Sequence, residues 1–238
     1  MADQMDVHVQ KLAAPISLES YVAGVVTAEN GMAAHGALQA QAVAARTFLL
    51  RAMRDDPLLG TAQKPIPSSQ RFQVYSAKPS TKAIQATAET AGVVCRYKGQ
   101  LTICNYVAGA YWNAAGQRRE DPTGTEKWVT YNEGKTGAQV KPTPLSNTSR
   151  TDNRGCMSQN GADWLARNGY DYTSILRYFY GADLDVGPLR PLPVGPTFPV
   201  EPPGQGAYPP ASSTGAESSS PAPFIVLALT LLSEGGGR

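Results

Sequence analysis

The sequence predicts an α+β fold: a single mixed domain of helices and antiparallel strands with long loops, followed by an extended Pro- and Ser-rich C-terminal tail. Three observations carry that expectation. Apolar residues recur at helical spacing between Leu18 and Met53. Two β-rich runs, Val93 to Tyr97 and Leu101 to Val107, flank Lys98-Gly99, a two-residue hairpin signal. From Gly187 the composition turns to Pro, Gly and Ser, which cannot bury enough apolar surface to fold.

Bulk composition narrows the class further. A chain of 238 residues can hold one domain with a sizeable core, or one domain plus a tail. Lys and Arg number 21 against 19 acids, so net charge is close to zero and no nucleic-acid partner is implied. There is no polybasic run and no repeat of solenoid length.

The elements follow in order. Residues 1–15 are polar, lack the charged-then-apolar pattern of a secretory signal, and are expected to form an N-terminal arm. Ser17 can cap a helix, although Ser20 stands where a capping box needs an acid. Leu18, Tyr21, Val22, Val25 and Val26 then make one apolar stripe. Asn30-Gly31 ends this helix, since both residues tolerate the left-handed backbone. A longer helix starts at about Ala33, with Leu38, Ala42, Ala45, Leu49 and Met53 on one face. Its Ala37 to Ala45 run is nearly all Ala and Gln, which permits close helix packing. Residues 55–70 read as a surface loop and Arg71 to Tyr75 as a strand. Ser80 caps a third helix over Thr81 to Thr90, stopped by Gly92. The stretch 108–150 is irregular, with one strand candidate at Lys127 to Tyr131. Met157 to Asn168 and Thr173 to Tyr180 are the last helices, so the domain is expected over residues 16–186. Residues 187–223 are then a linker or an arm lying on a partner. Phe224 to Leu232 within the final segment, 224–238, is continuously apolar but far short of the about 20 residues a membrane span needs. We expect that segment to dock on a protein partner in an assembly, with no transmembrane span.

Glu29 is the residue with the clearest chemical promise. It falls at the C-terminal end of an apolar helix, where the helix dipole disfavours a carboxylate and a proton is held more easily. That property suits a general acid. The alternative is an ordinary solvated carboxylate at a helix end.

Three ordered strings then match a known pattern. Glu19-Ser-Tyr-Val-Ala-Gly-Val-Val-Thr-Ala-Glu29 leads into Leu38-Gln-Ala-Gln-Ala-Val-Ala-Ala-Arg46-Thr47. Met157-Ser158-Gln159-Asn160-Gly161-Ala162 precedes Gly169-Tyr-Asp-Tyr-Thr-Ser-Ile-Leu176 and Tyr178-Phe-Tyr180. This order resembles the stage II sporulation protein D family (the SpoIID/LytB domain), over about Ile16 to Leu184. The resemblance implies a lytic transglycosylase that cuts the MurNAc–GlcNAc bond of peptidoglycan glycan strands and leaves anhydro-muramic ends. Glu29 would serve as general acid and then base, and no second acid lies inside a family-like motif. The alternative class is a non-catalytic peptidoglycan-binding or structural module, since some relatives are amidase enhancers. A hydrolase using water is a third reading.

The same resemblance assigns supporting roles. Arg46 would hold Glu29 or bind a sugar or acyl oxygen through its planar fork, with an exposed helical Arg reaching to water the alternative. Ser158 and Gln159 would grip a sugar or its N-acetyl group at a helix start, with capping the alternative for Ser158. Apart from the resemblance, Tyr106, like Tyr111, Trp112 and Trp128, is by residue type a candidate for stacking on a sugar face, with core or loop packing the more frequent role. Family members often carry His where Val107 and Asn153 stand in an ungapped reading, and the chain has only His8 and His35. We therefore expect no metal and no cofactor. If the two former His positions converge, Cys104 and Cys156 are placed for a disulfide, whereas a Cys95–Cys104 bridge would be diagonal and strained. Three unpaired thiols are the alternative. Action at the bacterial cell wall, outside the cytoplasm, follows from the substrate, with delivery after processing or by a phage-like tail or injection device.

Overall fold

The computed structural model describes residues 5–189 of the 238-residue chain. The mixed α+β class is what the sequence predicts. Its centre is α2 (His35–Asp55), which packs against α1 (Leu18–Asn30), α3 (Thr81–Glu89), α4 (Gln159–Arg167) and α5 (Tyr172–Tyr180). The Ala-rich first half of α2 makes this possible, because Ala37, Ala40, Ala42, Ala44 and Ala45 are all buried and let neighbours approach from several sides. Ser17, Ser80, Ser158 and Asp171 cap α1, α3, α4 and α5 respectively through their side-chain oxygens.

Helix boundaries differ from expectation at the α1–α2 junction. Gly31 has φ −58 and is right-handed, not left-handed. The turn instead closes through Ala33 N–H donating to the Asn30 carbonyl at 3.0 Å. α2 starts at His35 rather than Ala33, and the Ala34 N–H donates to Asp163 Oδ1 of α4 at 2.6 Å. An acid from another helix thus supplies the cap that the local sequence lacks.

Among the described residues, seven short strands complete the domain. β1 (Asp6–Val7) pairs antiparallel with β2 (Ile16–Ser17), so the described part of the expected N-terminal arm is tied to the domain. β3 (Val93–Tyr97) and β4 (Gln100–Leu101) form the expected hairpin, with Lys98 at φ 50 and Gly99 at φ 77 in the turn. β5 (Ile103–Val107) then leaves the hairpin and pairs parallel with β6 (Asn153–Ser158), a departure from the antiparallel expectation. The switch occurs because Thr102 N–H still donates to the Cys95 carbonyl, whereas Ile103 N–H donates to Asp152. Met157 and Ser158, expected in a helix, are the end of this strand. β7 (Asp185–Pro188) lies antiparallel on β3, and Leu189 N–H donates to Gly92 at 2.7 Å. The domain therefore runs past residue 186; the remainder of the expected linker and the segment 224–238 lie outside the described residues.

Two predicted strands are not strands. Lys127 to Tyr131 begins in a 3-10 turn, Glu126–Trp128, whose amides close on Thr125 and Glu126. Arg71 and Phe72 lie in a turn that closes on Ser69, Gln73 makes a single bridge to Ser68, and the following amides go to α1 and to side chains: Val74 N–H to Glu29, Tyr75 N–H to Ser68 and Ser76 N–H to the Gly24 carbonyl. Gly24 permits this close approach. A Cβ there would lie 2.6 Å from the Ser76 carbonyl oxygen and run into the Tyr75 ring.

Candidate active site

Glu29 is held in the penultimate position of α1 and is only 4% exposed. Its Oε1 accepts a hydrogen bond from the Val74 N–H at 2.8 Å. Burial pushes the carboxyl above its ordinary range, while the bonds from Val74 and from the Gln159 side chain act in the opposite direction. Burial has the larger effect, so the protonated acid is favoured over a wider pH range than for a solvated Glu. This is the environment expected of Glu29, and burial rather than the helix end produces it.

A polar network lies beneath the carboxyl. Tyr21 OH donates to Gln73 Oε1 at 3.0 Å, and Gln73 Nε2 donates to Tyr106 OH at 2.9 Å. Both phenols are pushed well above the usual tyrosine range, first by burial and next by the Glu29 charge. Neither provides a competing anion. Gln159 Nε2 also reaches Gln41 Oε1 at 3.4 Å. Among the described residues, Asn30 Nδ2, Gln41 Nε2 and Gln159 Oε1 are buried side-chain atoms without a hydrogen-bond partner. The unmet Asn30 donor adjoins Glu29 in the chain and the unmet Gln159 acceptor is on the side chain that bonds it, which marks a place built for polar chemistry.

The other site candidates divide. Gln159 joins Glu29, through its side chain at the start of α4. Ser158, fully buried, accepts from Gly161 N–H at 2.9 Å and donates to the Ala108 carbonyl at 3.2 Å, so it is a helix cap. Tyr106 is fully buried as well and offers no face to a sugar. It sits in the layer below Glu29 because β5 alternation turns it into the core.

Arg46 is corrected most clearly. It is fully buried, and its guanidinium grips both carboxyl oxygens of Glu19, with Nε to Oε1 at 2.8 Å. Its Nη1 also donates to the Val93 carbonyl at 3.1 Å. The planar fork thus ties α2 to the first turn of α1 and to β3, and it is spent there rather than on Glu29 or a sugar.

The Cys104–Cys156 disulfide is also absent: Cys95, Cys104 and Cys156 are free and buried. Register gives the reason. Asn105 pairs with Cys156 and Tyr106 with Met157, so Cys104 and Cys156 project from opposite faces of the β5/β6 pair. Cys104 lies in the main core, and Cys156 in a second apolar cluster with Val107 and Leu145.

Sequence reasoning missed Gln41, Gln73 and the Val74 amide. Gln41 carried a signal, a long polar side chain inside an otherwise Ala-rich helical face. Gly24 carried another, since Gly inside a helix costs about 1 kcal/mol relative to Ala and asks for a reason. The Val74 amide carried none, because a backbone donor is set by tertiary approach alone.

No curated protein matches the chain. Residues 8–97, which hold Glu29, Gln41, Arg46 and Gln73, match the model of the family SpoIID, described as Stage II sporulation protein. Over residues 8–97 the chain is therefore similar to the SpoIID family, the same family that its motifs resemble.

Proposed function

We propose that the protein is a peptidoglycan lytic transglycosylase in which Glu29 is general acid and then general base. The matched family is associated with the cell wall and its peptidoglycan. The observation that carries the finer reading is Glu29 itself: a buried carboxyl, biased towards its protonated form by burial and bonded by the Val74 amide and the Gln159 side chain. In the first step the Glu29 proton goes to the glycosidic oxygen as the bond from the muramic anomeric carbon breaks. In the second, the Glu29 carboxylate takes the proton of the muramic C6 hydroxyl as that oxygen bonds to the same carbon. Glu29 ends protonated, and water is not consumed. A single carboxyl suffices, unlike the paired acids of glycoside hydrolysis. Action on the wall places the site of work outside the cytoplasm, and no helix among the described residues is long and apolar enough to cross a membrane.

One observation favours a second reading, a glycan-gripping or structural module without catalysis. Arg46 and Tyr106 are committed to the core, which leaves fewer groups for a reacting sugar. Digestion of purified peptidoglycan, with and without stem peptides, separates the readings by mass spectrometry. Anhydro-muramic ends are the expected product. Reducing ends would replace transglycosylation with hydrolysis, and binding without release would leave the module.

A further inference from the structure

We propose that the large cleft beside the C-terminal half of α2 is a docking groove for this chain's own segment 190–204. The cleft measures about 1180 Å³, above the roughly 300–1,000 Å³ of small-molecule sites, and Glu29 does not line it. Phe48 and Phe72, packed edge to face at 5.2 Å, line it with Ile103 and Leu145, between Pro65 and Pro144.

The charges around the cleft are already paired. Arg51 binds Asp55 and Asp152, Arg150 binds Asp152, and Lys64 binds Asp56. Arg71 is engaged as well. A strongly charged occupant would have to break these pairs, so the cleft suits a bulky, apolar and nearly uncharged chain.

Segment 190–204, RPLPVGPTFPVEPPG, has that chemistry. It carries six prolines with Leu192, Val194, Phe198 and Val200, and its only charges are Arg190 and Glu201. Pro-rich segments dock in aromatic-lined grooves because their extended form is preset and little entropy is lost. The segment also follows directly on the described chain. The described chain ends at Leu189, anchored to Gly92, so no linker intervenes. Fifteen extended residues reach up to about 50 Å, whereas a domain of this size has a radius of gyration of about 16 Å. Direct tethering gives an effective concentration on the order of millimolar, so weak contacts suffice. Phe72 in the cleft is two residues from Val74, so the docked tail would brace the strip that holds Glu29. The proposal does not depend on Glu29 cleaving glycan.

The test uses the full chain with the photo-crosslinking amino acid benzoylphenylalanine incorporated at Phe198. After illumination, cross-links within one chain to the cleft residues are expected by peptide mapping. A Thr148→Trp variant, which fills the cleft from an exposed rim position, should lose most of that product while its circular dichroism is unchanged. Cross-links between chains at the cleft would overturn the assignment and make the occupant a second copy's tail. Cross-links elsewhere, none at all, or cleft cross-links that survive Thr148→Trp would overturn the groove.

Discussion

Glu29 and Arg46 show how burial decides what a charged residue does. Burial raises the Glu29 carboxyl, so its contribution to stability is greatest at low pH, where folded and unfolded states are both protonated. As pH rises through and above the ordinary carboxylate range, the unfolded state ionises first and this contribution is lost. Thermal unfolding of wild type and Glu29→Gln across pH 4–8 should therefore diverge, with wild type falling relative to the amide as pH rises. A parallel pH dependence would show that Glu29 is not held protonated. Arg46 is the opposite case, a buried charge made acceptable by Glu19 and carbonyl partners. Removing one partner of a buried pair costs about 3–5 kcal/mol. Urea denaturation of Arg46→Met should show a loss of that order, with part of it restored in Glu19→Gln/Arg46→Met.

Among the elements, the strip 72–76 matters most, because it lies on α1 and delivers the Val74 amide to Glu29. Tyr75 stacks on Tyr21 with ring centroids 5.6 Å apart, over the gap that Gly24 leaves. Gly24→Ala gains about 1 kcal/mol of helix propensity but forces a contact whose cost is typically 1–3 kcal/mol. A net loss of about 1 kcal/mol is expected, with glycan cleavage reduced further because Val74 is displaced. Equal or greater activity in Gly24→Ala would remove the strip from the site. The helices were legible because apolar spacing and capping serines are local, as at Ser17 and Ser80. β6 was not legible as a strand: Asn153 to Ser158 is buried on both faces and pairs with a segment nearly fifty residues away. The strip itself read as a strand because its Gln-Val-Tyr run is β-prone, yet α1 claimed its amides first.

For the whole molecule, the sequence made the mixed class and the place of Glu29 readable, since both rest on patterns within a few turns of chain. It did not reveal which groups converge on Glu29. The Val74 amide and Gln159 reach it from separate strips, and no spacing rule links residues brought together by packing. The cysteine expectation failed for a related reason. Pairing two positions on neighbouring strands requires the register, and a shift of one residue reverses the face. Stability should therefore owe nothing to disulfides: the melting temperature is expected to be unchanged by reductant, and alkylation of the denatured chain without reductant should modify Cys95, Cys104 and Cys156 alike. A reductant-sensitive melt would contradict the observed register.

The most direct test of the central claim is digestion of purified peptidoglycan by wild type and Glu29→Gln side by side, with binding to the insoluble wall measured in the same samples. General acid catalysis contributes about 10²–10⁴-fold, so release of anhydro-muramic fragments should fall by that factor in Glu29→Gln while wall binding is kept. Equal release from the two proteins would contradict the assignment of Glu29 as the acid.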